Sequence, residues 1–158
     1  MTSAPTDLYG TELEAWRGFL RSHAAIVRRL DADLVATHGL TLNDYEVLLY
    51  LAQAPERRLR MSELAGRVLL TRSGVTRLVD GLERSRLVRR RACEADGRGS
   101  YAELTGQGRA TLRAAAATHV AGVRELFVEH YSQDELETLA MLLGRLPGGE
   151  GTGSCTAG

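Results

Sequence analysis

The 158-residue sequence predicts a mainly α-helical fold with a small β wing. Three observations carry this. Apolar side chains recur at helical spacing over long stretches toward both ends of the chain. Between those stretches lie two short helical segments separated by a tight turn. Two strand-like segments joined by a glycine-containing connection follow directly.

The first long helix rests on Leu13, Trp16, Leu20, His23, Val27, Leu30 and Leu34, spaced 3, 4, 3, 4, 3, 4. That is a heptad-like seam, and Gly39 is a natural C-cap for it. Thr41 offers the next N-cap, with Asp44 reaching the first turn. Leu42, Tyr45, Leu48, Leu49 and Ala52 supply the apolar side of a second helix, stopped by Pro55. "RRLRM" is a short extended candidate, and Ser62 after it reads as the N-cap of a helix over 62–70, with Leu64, Ala65 and Val68 on one side. Thr71 is placed to cap a helix over 72–85. Strands are expected at 87–93 ("LVRRRAC") and 100–104 ("SYAEL"), with "EADGRG" between them as a flexible hairpin tip. Thr105 caps an alanine-rich helix whose seam is Leu112, Ala116, His119, Val123 and Leu126. Ser132 with Glu135 forms a capping box for a last helix, apolar at Leu136, Leu139, Leu143 and Leu146 and ended by Pro147.

In this order the two short helices and the hairpin spell a winged helix-turn-helix over 41–104. The helices over 10–38 and 105–146 lie outside that motif, and their seams need a further apolar surface. A second copy of the chain provides one, so the expectation is a homodimer built on N- and C-terminal dimerisation helices. Residues 1–9 read as a flexible N-terminus. The tail 147–158, rich in glycine, has nothing to bury and is expected to be disordered.

Charge adds a second line. The chain is formally neutral, with 20 arginines, no lysine and 20 acids. From Arg57 to Arg98, however, twelve arginines face five acids, giving +7, and the remainder carries −7. Such asymmetry fits a region made for a polyanion, with an ordinary solvated basic face as the plain alternative. At about 100° per residue, Val75, Leu78, Val79 and Leu82 form the buried side of helix 72–85. Ser73, Arg77 and Asp80 fall opposite, Thr76 and Gly81 lie on the shoulders, and Arg72 is nearer the core edge. Arginine can pair bidentately with guanine, while Ser and Thr suit phosphates or base edges. Gly74 in the first turn costs helix stability, which close approach to a phosphate or tight packing on the preceding helix would explain. Arg89 and Arg91 share one strand face and Arg90 takes the other. Arg98 on the tip can enter a narrow minor groove, with Asp96 orienting it. The candidate DNA-binding set is therefore Ser62, Thr71, Arg72, Ser73, Gly74, Thr76, Arg77, Arg89, Arg91, Asp96 and Arg98, and the expected partner is a double-stranded DNA operator.

Other functions find few parts here. There is no glycine-rich phosphate loop, no HExxH and no Ser/His/Asp grouping, so no enzyme is expected. No apolar run approaches the roughly 18 residues of a membrane span, and the N-terminus lacks the basic-then-apolar order of a signal peptide, so a cytoplasmic chain is expected. Cys93 and Cys155 make no disulfide framework. The histidines, His23, His38, His119 and His130, have no i, i+4 pair, so neither metal nor cofactor is called for. A winged helix used only for protein contacts would need neither a wing-tip arginine nor a polar reading face.

The stretch "MSELAGRVLLTRSGVTRLVDGLERSRLVRRRACEADGRGSYAELTGQGRATL", residues 61–112, resembles the winged-helix core of the MarR (multiple antibiotic resistance regulator) family. The resemblance extends in element order over about 10–146. The family's recognition-helix pattern "S-x-V-T-R-L-V-D-x-L-E" is present as Ser73 to Glu83. Its wing "D-x-R" is Asp96 and Arg98, and its "L-T-x-x-G" is Leu104 to Gly108. Its "G-L-V-x-R" strand entry appears as "RLVRR", with Arg86 where the family usually has glycine. The resemblance implies an obligate homodimer, recognition helices in major grooves and wings in minor grooves. It further implies repression from pseudopalindromic operators until a ligand or oxidant releases the protein. A small aromatic or phenolic ligand at the junction of dimer helices and winged domain is the expected effector, with Trp16, His23 and His119 as candidate lining or, alternatively, plain seam packing. Cys93 beside Arg91 offers a redox alternative. The organic-peroxide sensors of the family carry their cysteine in the first long helix, however, and this chain has none there. The zinc-sensing branch has a close histidine pair after the wing, which His119 lacks.

Overall fold

The computed structural model describes residues 7–68, 70–92 and 99–148. Six helices run α1 (Gly10–His38), α2 (Leu42–Gln53), α3 (Met61–Arg67), α4 (Arg72–Arg84), α5 (Gly106–Leu126) and α6 (Gln133–Leu143). The strands are β1 (Arg58–Arg60), β2 (Val88–Ala92) and β3 (Ser100–Leu104), forming an antiparallel sheet in the order β1-β3-β2. This is the expected mainly helical fold with a small wing. The expectations that fall on Leu69, Cys93, Asp96, Arg98 and the tail from 149 onward lie outside the described residues.

Local signals place most boundaries. Gly39 ends α1 in the left-handed conformation, φ 67°, and its N–H donates to Val35 O. Thr41 and Asp44 form a reciprocal capping box at α2, and Ser132 and Glu135 form another at α6. Thr71 and Thr105 cap α4 and α5 by accepting from the Gly74 and Gly108 N–H groups. Two expectations are corrected. Ser62 is not an N-cap, because β1 runs directly into α3: the cap is Arg60, whose N–H donates to the Glu63 carboxylate at 3.0 Å. Helix α6 ends at Leu143, capped by Gly144 rather than running on to Pro147, so Leu146 lies beyond it. Pro55 does more than stop α2. It opens a 3-10 turn, Pro55–Arg57, with Glu56 and Arg57 both at positive φ.

The core is centred on α2. Tyr45 and Leu48 are buried as their spacing predicts, but so are Val47 and Leu51, which lie off that stripe. A helix covered on more than one side shows no clean amphipathic period. Around it pack Leu64 of α3, Val75, Val79 and Leu82 of α4, Leu59, Val88, Ala102 and Leu104 of the sheet, and Leu112 and Ala115 of α5. Only the last turns of α1 join this core, through Leu34. There α1 crosses α5 closely enough that a Cβ on Gly122 would lie 2.7 Å from Leu30 Cδ2. His38 Nε2 meets Thr118 Oγ1 at 2.8 Å across the same crossing, and Asp31 accepts from the Leu42 N–H at 2.8 Å, fixing α1 to α2.

Candidate nucleic-acid interface

Helix α4 presents two distinct sides. Val75, Val79 and Leu82 are 3% exposed or less, with Leu78 partly buried, while Arg72, Ser73, Thr76 and Arg77 are exposed. Thr71 Oγ1 also lies 3.2 Å from Ser73 Oγ. A Cβ on Gly74 would meet Thr71 Oγ1 at 3.2 Å and Leu70 Cβ at 3.6 Å. Its tight neighbours are thus the cap and the turn, not the preceding helix. Ser62, exposed in the first turn of α3, faces Arg72 and Thr76 across a cleft of about 360 Å³ that Arg60, Met61, Gly99 and Ser100 complete.

Asp80 is drawn away from the exposed polar side of α4. Arg90 Nη2 pairs with Asp80 Oδ1 at 2.6 Å and donates to Thr76 O at 3.2 Å, while the Arg90 N–H donates to Glu83 at 3.0 Å. One strand residue therefore locks β2 to three positions of α4. Arg89 and Arg91 point to the other side of the sheet, where both grip Glu103, at 2.5 Å and 2.6 Å. The hydrogen bond from Arg89 holds the Glu103 carboxyl below its ordinary pKa, aided by Arg91, and raises that of Arg89. The alternation of 89 and 91 against 90 is legible in the sequence; their acidic partners are not.

The passage from α4 into β2 explains two of the motif positions. Arg86 N–H donates to Glu83 O and Leu87 N–H to Leu82 O, both at 2.9 Å, which is the hydrogen-bond pattern of a Schellman cap. The residue after the C-cap must then be left-handed, and Arg86 is, at φ 62°. Glycine adopts that conformation without the Cβ penalty, so the arginine here carries strain. Thr105 Oγ1 donates toward Arg86 O at 2.7 Å and Leu87 O at 3.0 Å while accepting from Gly108 N–H at 2.9 Å. A Cβ on Gly108 would overlap Leu87 O and lie 2.8 Å from Leu104 Cδ1. Threonine and glycine at these positions clamp the start of α5 onto the entry to β2.

The three candidate ligand residues fall in two places. Trp16 and His23 flank Phe19 in a stacked row on α1, each step 6.2 Å between centroids. His119 instead packs on Tyr45 at 4.6 Å, with its Nδ1 buried and lacking a hydrogen-bond partner, and burial pushes its pKa below the ordinary value. Phe19 lies one position off the heptad seam, which hides its place in this row from the sequence pattern. Among the described residues no three His, Cys, Asp or Glu side chains come together as a metal-ligand group, and no helix is long and apolar enough to cross a membrane.

Two short helices meeting at a tight turn, backed by a three-stranded sheet whose outer strands flank β3, define a winged helix-turn-helix protein. A profile described as MarR family matches residues 38–99. The chain is 37% identical to AbsC, a MarR family transcriptional regulator from Streptomyces coelicolor, with a TM-score of 0.82 over 88% of this chain and 93% of that one. It is 33% identical to Sco3205, a MarR family transcriptional regulator from the same organism solved in complex with DNA, with a TM-score of 0.83 over 89% and 88% of the two chains. It is also 34% identical, over 70% of its length, to the HTH-type transcriptional repressor YetL of Bacillus subtilis (strain 168), spanning 66% of that protein. The chain belongs to the MarR family, a family of transcriptional regulators rather than enzymes.

Proposed function

We propose that this chain is a sequence-specific regulator that binds double-stranded DNA as a homodimer in the cytoplasm and represses transcription from a pseudopalindromic operator. The observation that carries the reading is the exposed polar side of α4, Ser73, Thr76 and Arg77, opposite a buried apolar side. Side chains of those types near a helix N-terminus suit base edges in a major groove. Arg77 is the base-reading residue. Thr71, Arg72, Gly74 and Ser62 border it as phosphate contacts, Arg89 and Arg91 add phosphate contacts from the sheet, and Asp96 with Arg98 places the wing in the minor groove. Similarity to Sco3205, whose solved structure contains DNA, supports the same assignment.

The pattern of exposure supports a division into a DNA-binding unit over 41–104 and dimerisation helices over 10–38 and 105–146. Trp16, Phe19, Leu20, Met141 and Leu142 all stand at least 43% exposed on α1 and α6 in the single chain. A second copy covers them. A small aromatic or phenolic ligand bound between these helices and the winged unit releases the operator, with Trp16, His23 and His119 as its lining.

A gel shift with random duplex DNA at varied salt tests the central claim. Binding at low salt that weakens steeply as salt rises is expected from counterion release. No binding at low salt eliminates the DNA reading.

A further inference from the structure

The outward face of the sheet, the side turned away from α4, carries an arrangement that reading by α4 leaves unused. Residues paired directly across an antiparallel sheet point to the same side. The register Arg58–Glu103–Arg89 and Arg60–Tyr101–Arg91 therefore gathers four guanidinium groups, one carboxylate and one phenol ring on that face. The alternate row, Leu59–Ala102–Arg90, faces inward, where Arg90 reaches α4.

Each outward guanidinium is held. Arg89 and Arg91 share Glu103, and both side chains remain about half exposed, 52% and 54%. Arg58 and Arg60 lie over the Tyr101 ring, 5.2 Å and 5.6 Å from its centroid, and Arg58 also pairs with Glu56. A guanidinium has five N–H donors, so the bond each makes with Glu103 leaves most of those on Arg89 and Arg91 directed elsewhere. The four cations stand on the two outer strands, on either side of β3, with Glu103 the one carboxylate in the two rows. The face is also continuous with the reading surface, because Arg60 lines the cleft shared by Ser62, Arg72 and Thr76.

We propose that the outward face of the sheet is a second phosphate-binding surface, which takes the backbone of the duplex flanking the bases read by α4. This rests on the DNA-binding reading above. Duplex DNA fits better than an acidic protein, because among the described residues of the face the one aromatic ring is covered by arginines and no apolar side chain stands among them to anchor a protein interface. Alternate residues of a strand stand roughly 7 Å apart, twice the rise per residue, which presents the guanidiniums as a row along a backbone. Glu103 and Tyr101 pre-aim the arginines, so little side-chain freedom is lost when a phosphate arrives.

The test uses the duplex recovered by binding-site selection, prepared at about 22 bp and about 44 bp, the shorter just containing two half-sites one turn apart. Arg58→Gln/Arg89→Gln removes the row farther from the β2–β3 connection. On the long duplex this variant should bind at least about tenfold more weakly, with a salt slope shallower by roughly 0.9 for each phosphate no longer neutralised. On the short duplex it should lose less than on the long one, and Arg58→Lys/Arg89→Lys, which keeps the charges, should retain the wild-type slope on both. The wild type alone should show the steeper slope on the long duplex, a measurement independent of how the glutamine variant folds. Equal slopes on the long duplex, or an equal weakening on both lengths, overturns the proposal while leaving operator binding standing. A wild type that binds neither duplex at low salt brings down the regulator reading itself.

Discussion

Helix α4 and the N-terminal half of α1 carry comparable apolar stripes, yet Val75, Val79 and Leu82 are 3% exposed or less while Trp16, Phe19 and Leu20 remain 43–50% exposed. The winged unit closes its core within one chain. Helix α6 buries none of its residues, and α1 buries only Leu30 and Leu34, near its C-terminal end. Each Leu or Phe left in water forgoes about 1.5–3 kcal/mol of burial, so α1 and α6 still have burial to gain that the winged unit has already realised. An amphipathic period states that a face will be covered. It does not state whether the cover comes from the same chain.

The sharpest way to break the winged side of that contrast is Gly108→Ala. The new Cβ would fall on Leu87 O, a backbone atom that cannot swing away. We expect destabilisation on the order of 3 kcal/mol or more in chemical denaturation, or failure to fold. A Tm within a degree of wild type would show that the clamp between α5 and β2 is loose.

Leu20→Asp strikes the other side. It should yield a monomer by light scattering, or insoluble protein, and any soluble form should keep the helical content of the winged unit. A soluble, DNA-competent dimer would count against α1 as an interface. Arg77→Ala should leave both regions folded and relax base discrimination, costing roughly 1–3 kcal/mol at the recognised base. Unchanged preference in a selection assay would remove Arg77 from the reading face.

Two smaller effects refine the contrast. Arg86→Gly relieves a left-handed residue and should stabilise the chain by about 1 kcal/mol, read as a raised denaturation midpoint. Burial of His119 against Tyr45 disfavours its charged form, so its folded pKa lies below the unfolded one. Its contribution is complete above the unfolded pKa of about 6.5 and is lost as pH falls through that range toward the folded value. Stability should decline as pH falls below about 7, and less so in His119→Phe. Identical pH profiles would place the imidazole in contact with water.

Much of the fold is legible in the sequence where the signal is local. The caps at Thr41, Thr71, Thr105 and Ser132 involve side chains bonding to their own backbone three residues on, and all four form in the structure. Ser62 fails as a cap because the same residue type suits either a cap or a first turn, and the choice falls to Glu63 bonding Arg60 across the strand–helix junction. The exposed polar side of α4 is legible because the helix packs on one side only. The fate of its neighbours is not. Arg90, Arg89 and Arg91 look alike in sequence, and strand register alone sends the first to Asp80 and the others to Glu103.

Periodicity and capping chemistry, acting within a few residues, sufficed to specify from the sequence which segments are helices and strands and which side of α4 is polar. Which arginine meets which carboxylate, that Arg86 must bend left-handed, and that α2 is enclosed on several sides were decided by tertiary structure. Those outcomes depend on residues distant in the chain being brought within hydrogen-bonding or packing distance, and no short-range pattern records that.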